Sequence, residues 1–158
     1  MIYRTRICFT TNFLGGGPRD KNSSVRSLKR TYDDLIELNS QEFFNNIKLA
    51  NKQVNAKIDI KKFIIPEGFD HEDKITVIKR VFNRVNIDFF EGIARGNKVF
   101  LDLMYFAEIE NSPSIETVGT LMDILGRFHG ISQWGQKFNC GRFKVLNVEK
   151  VTIKNYDN

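Results

Sequence analysis

Apolar and polar positions alternate over residues 2–10, with Tyr3, Thr5, Ile7 and Phe9 on one side and Arg4, Arg6, Cys8 and Thr10 on the other. A period of two predicts a half-buried strand whose second face is basic. The three glycines and the proline of NFLGGGPRD, residues 12–20, interrupt that period and predict a loop. Over residues 24–38, Val25, Leu28, Tyr32, Leu35 and Ile36 recur at helical spacing. The charge order there runs from Arg26, Lys29 and Arg30 to Asp33, Asp34 and Glu37, against the helix dipole. Ser40 is the N-cap of a second predicted helix, with Phe43, Ile47, Ala50 and Val54 as its buried stripe.

Residues 57–65, KIDIKKFII, predict a strand that Pro66 and the Glu67-Gly68 turn bring to an end. Residues 75–90 mix β-branched, aromatic and cationic residues and predict one or two strands. In residues 98–110, Val99, Leu101, Leu103, Tyr105 and Ala107 oppose Phe100, Asp102, Met104, Phe106 and Glu108, so both faces are largely apolar and a central strand is expected. Ser112 as N-cap and Pro113 at the first helical position start a last helix with Ile115, Val118, Met122 and Leu125 buried and Gly126 at its end. Residues 143–153 form the final strand, whose alternation slips near Asn147 and predicts a bulge. The order of elements predicts an α+β fold, a ferredoxin-like or RRM-like βαββαβ sheet with an inserted strand and a Gly-rich loop before the last strand. A chain of 158 residues with 41% hydrophobic and 27% charged residues suits one globular domain, residues 1–158.

The strongest chemical signal is residues 126–144, GRFHGISQWGQKFNCGRFK, which opens and closes on Gly-Arg-Phe and contains no acid. Gly126, Gly130, Gly135 and Gly141 let the backbone turn and approach other groups closely, Arg127, Lys137, Arg142 and Lys144 supply positive charge, and Trp134 and Phe138 supply flat faces. Cations contact phosphates and aromatic rings stack on bases, so this composition suits RNA or single-stranded DNA. Arg4 and Arg6 on the first strand and Arg19 after Gly15 to Gly17 extend the same expectation. The alternative is that Trp134 and the phenylalanines pack the loop onto the sheet and the glycines permit it. A formal charge of +5 favours an acidic partner.

The two end motifs, FTTNFLGGGP and LGRFHGISQWGQKFNCGRFKV, resemble an uncharacterised family of bacteriophage proteins, and Gly130, Trp134, Gly141, Arg142 and Phe143 carry the likeness. The triple glycine at Gly15 to Gly17 departs from that family's single glycine. By topology and loop composition the chain also resembles the repeat-associated RNA-binding proteins of CRISPR systems, the RAMP superfamily. These likenesses imply a phage protein working in the cytoplasm of a host bacterium. One expected role is binding RNA or single-stranded DNA without catalysis; another is acting, anti-CRISPR-like, on a host defence protein complex.

Catalysis ranks last. His129 beside Arg127 is the single candidate, as general base on a ribose hydroxyl in a metal-independent ribonuclease. No Walker or dinucleotide fingerprint occurs, so no cofactor is expected. Cys8 and Cys140 lack a C-x-x-C spacing, and the acidic loop around His71 lacks a second ligand cluster, so no metal is expected. No apolar run reaches the length of a membrane span, which predicts a soluble protein.

Overall fold

The computed structural model describes residues 1–71, 75–82, 86–134 and 137–151, and of Phe82 and Lys137 the backbone alone. In chain order the elements are β1 (Ile2–Phe9), β2 (Phe13–Leu14), β3 (Val25–Arg26), β4 (Ile36–Glu37), α1 (Ser40–Val54), β5 (Phe63–Ile64) and β6 (Gly68–Phe69). They continue with β7 (Thr76–Phe82), β8 (Asn86–Ile93), β9 (Lys98–Tyr105), α2 (Ile115–Ile124), a π-helical turn (Leu125–His129) and β10 (Phe143–Val151).

The alternation of β1 translates directly into burial, with Tyr3, Thr5, Ile7 and Phe9 no more than 1% exposed. β10, β1, β9 and β5 lie side by side in that order, all antiparallel. α1 falls between β1 and β5 in the chain, and α2 between β9 and β10. α2 packs on β10, β1 and α1. Phe43, Ile47 and Ala50 of α1 then join Val118, Leu121 and Met122 of α2 in one core with the buried side chains of β1 and β9. The result is an α+β fold of antiparallel sheets and two helices.

A second sheet is built from the stretches on either side of α1. β8 carries β7 along one edge and the short β2 and β3 along the other, with β3 parallel to it. Phe9, Phe13 and Phe69 join the two sheets, with ring centroids 5.6 Å apart for Phe9 and Phe13 and 5.3 Å for Phe13 and Phe69. Each such pair adds about 1 kcal/mol beyond the area it buries.

The helix expected over residues 24–38 does not form. Cations in its first turn and acids in its last would oppose the dipole, and tertiary partners take the chain elsewhere. Arg26 reaches Asp88 at 3.3 Å, Val25 and Arg26 pair with Phe89 and Phe90, and Tyr32 is left wholly in solvent. Residues 57–65 pair only at Phe63–Ile64, because a 3-10 turn over Ile60–Lys62, capped by Asp59, occupies the middle. Both helix caps move: Asn39 accepts from the Glu42 N–H in place of Ser40, and Ser114 from the Thr117 N–H in place of Ser112. Gly126 does not stop α2, since the chain continues through the π-helical turn to Gly130. The expected bulge is present, for Arg6 faces Asn147 while Ile7 faces Val145. Among the described residues no helix is long and apolar enough to cross a membrane.

Candidate nucleic-acid interface

After the π-helical turn the chain makes a loop whose neck is closed by Gly130 and Gly141. The Ile131 N–H donates to the Gly141 carbonyl at 2.8 Å, and Gly141 has φ of 72°, a conformation L side chains avoid. A Cβ at Gly141 would lie 1.4 Å from the Ile131 carbonyl oxygen. Asn46 of α1 reaches the Gly130 carbonyl at 3.5 Å, so the neck is also tied to the helical layer. These two glycines therefore sit backbone against backbone. Gly135 and Gln136 lie outside the described residues, as does the side chain of Lys137.

Beyond the neck, the loop lies on the second sheet. Trp134 is fixed at both ends of its side chain and backbone: the indole N–H donates to the Gly15 carbonyl at 2.7 Å, and the Trp134 N–H to the Ser132 Oγ at 2.9 Å. Its ring meets Phe90 at 5.9 Å and Phe138 at 5.7 Å, edge to face. Leu14, Phe90 and Cys140 form a small core beneath it. Burial pushes the Cys140 thiol up, away from a reactive thiolate. The aromatic residues thus pack the loop onto a sheet and still leave Trp134 and Phe138 half-buried.

Gln133 holds the same loop to the stretch between β2 and β4. Its Oε1 accepts from the Gly16 N–H at 2.8 Å and the Lys29 N–H at 3.0 Å, and its Nε2 donates to the Lys29 carbonyl at 2.9 Å and the Glu37 carbonyl at 3.0 Å. Gly15 donates to the Glu91 carbonyl and Gly17 to the Ser27 carbonyl, so these N–H groups of the triple glycine are taken up in backbone pairing and are not open to a phosphate. We predict that Gln133→Ala lowers stability by about 2–3 kcal/mol in urea denaturation, because three backbone groups lose their partner and the Lys29 carbonyl keeps only the Glu37 N–H. A change within a few tenths of wild type would show that water replaces the amide fully.

Three hollows adjoin across this surface. One, of about 570 Å³, is bounded by Arg19, Arg26, Asp88, Phe90, Trp134 and Phe138. The next shares Phe138 and adds Lys79, Arg80 and Arg95. The third shares Thr10, Thr11 and Asn139 with the second and adds Arg127, Arg142 and Lys144. Among the described residues the three are bordered by eight cationic residues and a single carboxylate, Asp88, but Lys79, in register with Phe89, turns its side chain to the other face of the hairpin, which leaves seven cations on this surface. Rings and guanidinia interleave: Arg26 lies 5.2 Å from the Trp134 centroid and Arg80 4.9 Å from that of Phe138.

Of the residues singled out in the sequence, Arg19, Trp134, Phe138, Arg127, Arg142 and Lys144 all line these hollows. Arg4 and Arg6 do not. They lie on the outer face of the four-stranded sheet, Arg4 paired with Asp102 at 3.1 Å and Arg6 over the Phe100 ring at 5.9 Å. His129 also lines none of the three, and its Nε2 meets the Gln53 Oε1 at 3.1 Å. Burial, and then the Arg142 charge, pull its imidazole below the ordinary range. His71 makes an isolated bridge to Val99, and Glu72 and Asp73 of its acidic loop lie outside the described residues.

Sequence reasoning missed Arg26, Arg80, Arg95, Asp88 and Gln133. The pairing of Arg80 with Asp88 across β7 and β8 puts them on the face that Trp134 covers, and alternation within residues 76–82 was the available signal for Arg80. Nothing local marks Gln133, whose four partners come from residues 16–37.

No protein-family model matches this chain, and a comparison with curated proteins finds no match either. The functional reading therefore stands on the surface itself.

Proposed function

We propose that the protein binds single-stranded nucleic acid, RNA or DNA, without catalysis, along the three adjoining hollows. The observation that carries this is the run of seven cations against one carboxylate among the described residues, interleaved with Trp134 and Phe138. Cations along adjoining hollows suit a phosphate backbone, and half-buried rings offer stacking of about 1–3 kcal/mol per base, which a duplex cannot exploit without unstacking. We also take the four-stranded sheet to be a ferredoxin-like βαββαβ unit with two insertions. Its strand order, with α1 between β1 and β5 and α2 between β9 and β10, supports that reading and the analogy to RAMP proteins. Together with the phage-like end motifs, this favours a phage protein acting in the host cytoplasm.

Fluorescence anisotropy with labelled single-stranded RNA, single-stranded DNA and duplex DNA, over a range of salt, tests the reading. Single strands are expected to bind more tightly than duplex, with affinity falling steeply as salt rises. Absence of strand binding at low salt would overturn it.

A second reading, a protein-interaction factor directed at a host defence complex, draws on a different surface. Val77, Val81, Ile87 and Phe89 share one face of the β7–β8 hairpin and are 59%, 58%, 52% and 41% exposed. Apolar faces of this kind mark protein contacts more often than phosphate contacts.

A further inference from the structure

We infer that the outer edge of β7 takes an extended, acidic segment of a partner protein as an added strand. The inference is independent of the nucleic-acid reading, since it rests on the backbone of β7 and on the charge pattern along it.

The edge is open and able to pair. β7 pairs with β8 along its whole length, Thr76–Phe82, and among the described residues no strand lies against its other side. In an antiparallel ladder alternate residues direct both N–H and C=O away from the paired neighbour, so this edge presents a row of such groups to another strand. It contains no proline, which would remove a donor from the row. Val77 and Val81 stand on one face of it, 59% and 58% exposed, and a strand laid beside them would cover both.

Charge decides what that strand is. TVIKRVF has two cations at its centre, Lys79 and Arg80, and no acid. The carboxylates nearest in register are committed elsewhere: Asp88, opposite Arg80, to Arg19 and Arg26, and Glu91, opposite Val77, to the Leu28 N–H at 3.1 Å. A second copy of β7 fits poorly. Residues directly opposite in an antiparallel pair share a face of the sheet, so a two-fold axis at Lys79 or Arg80 would set that cation against its own copy, which destabilises the pair. Axes nearer the ends of the strand pair fewer residues. A partner strand with two adjacent carboxylates has the opposite effect. Laid antiparallel, it reads apolar, acidic, acidic, apolar, apolar against Val81, Arg80, Lys79, Ile78 and Val77 in turn. Two cations thus guard the edge against its own copy, and the same two select an acidic strand.

The probes are short labelled peptides with blocked ends, TVEEVVT and its basic counterpart TVKKVVT, titrated by anisotropy against the full chain. TVEEVVT is expected to bind about tenfold more tightly. Lys79→Glu, at an exposed side chain turned away from the basic surface, should remove most of that difference. Two further versions of TVEEVVT, N-methylated on alternate amides, test the backbone pairing: the one whose methyl groups point at β7 should lose binding and the other should keep it. Hydrogen exchange should slow at alternate β7 amides when TVEEVVT is bound.

No saturable binding of TVEEVVT at millimolar concentration, or equal affinity for the two charge patterns, would overturn the inference; neither result depends on a variant folding. Retention of affinity by both methylated peptides would overturn it too, because side chains alone would then hold the peptide. Slow exchange along β7 without peptide, in a chain that sediments as a dimer, would assign the edge to a second copy instead.

Discussion

Replacing Arg127, Arg142 and Lys144 together by alanine is expected to lower affinity for a short single-stranded RNA about a hundredfold near 0.1 M salt. The slope of log affinity against log salt should become shallower by about 2, at about 0.7 per phosphate contact on a single strand. These three side chains line one hollow at the end of the basic surface. Two make local bonds, Arg127 to Asp123 at 2.8 Å and Arg142 to the Arg127 carbonyl at 3.2 Å, but Arg127 is 63% exposed. Its ion pair is screened and worth a few tenths of a kcal/mol at most, so the variant should fold. Lys48, Lys52 and Lys61, exposed on α1 and the 3-10 turn after it, provide the comparison. Their triple alanine variant changes net charge equally and should retain most of the affinity. Equal losses in the two variants would mean that net charge, and not the placement of the cations, drives binding.

Gly141→Ala is expected to cost about 3–5 kcal/mol, a large part of the stability of a domain this size. Two effects add. The residue has φ of 72°, and its Cβ would fall 1.4 Å from the Ile131 carbonyl oxygen, a backbone atom that cannot turn aside. The neck would have to open, releasing the bond from the Ile131 N–H. Gly119, inside α2, is the contrast. There a Cβ would meet only the Val148 Cγ2, at 3.6 Å, and removing the glycine's freedom in the unfolded chain should stabilise by about 0.5–1 kcal/mol. Urea denaturation of the two variants would measure both. A Gly141→Ala protein as stable as wild type would show that the neck is not a closed junction.

Periodic signals in the sequence translated well where the chain packs as its own pattern dictates. β1 buries its alternate residues, α1 buries Phe43, Ile47 and Ala50, β9 has neighbours on both sides, and the slip near Asn147 is a bulge. The failures share a cause, which is tertiary bonding that local pattern does not contain. Residues 24–38 have helical spacing, yet Arg26 is committed to Asp88 and Leu28 to the core. Ser40 and Ser112 were plausible caps, but Asn39 and Ser114 lie at the positions where the backbone turns. At the candidate site the loop residues were legible from composition. The opposing wall was not, because Asp88, Arg80 and Arg26 come from three strands, β8, β7 and β3, whose pairing only the fold establishes.

The basic surface has a further consequence through the way it is assembled. Its parts come from residues 10–26, 78–95 and 127–144, and the bonds that bring them together span the chain: Arg26 to Asp88 bridges 62 positions, and Gly16 to Gln133 bridges 117. Contacts of such long range form late and slowly in folding. The isolated Gly-Arg-Phe loop, as a peptide, would carry the cations and rings without the geometry that makes them a site. Binding along this surface, as proposed, would then be inseparable from completed folding. A strand present at a hundred times its dissociation constant would deepen the native basin by about 2.7 kcal/mol, so a bound nucleic acid would act on this chain as a cofactor does, protecting from proteolysis regions far from any it touches.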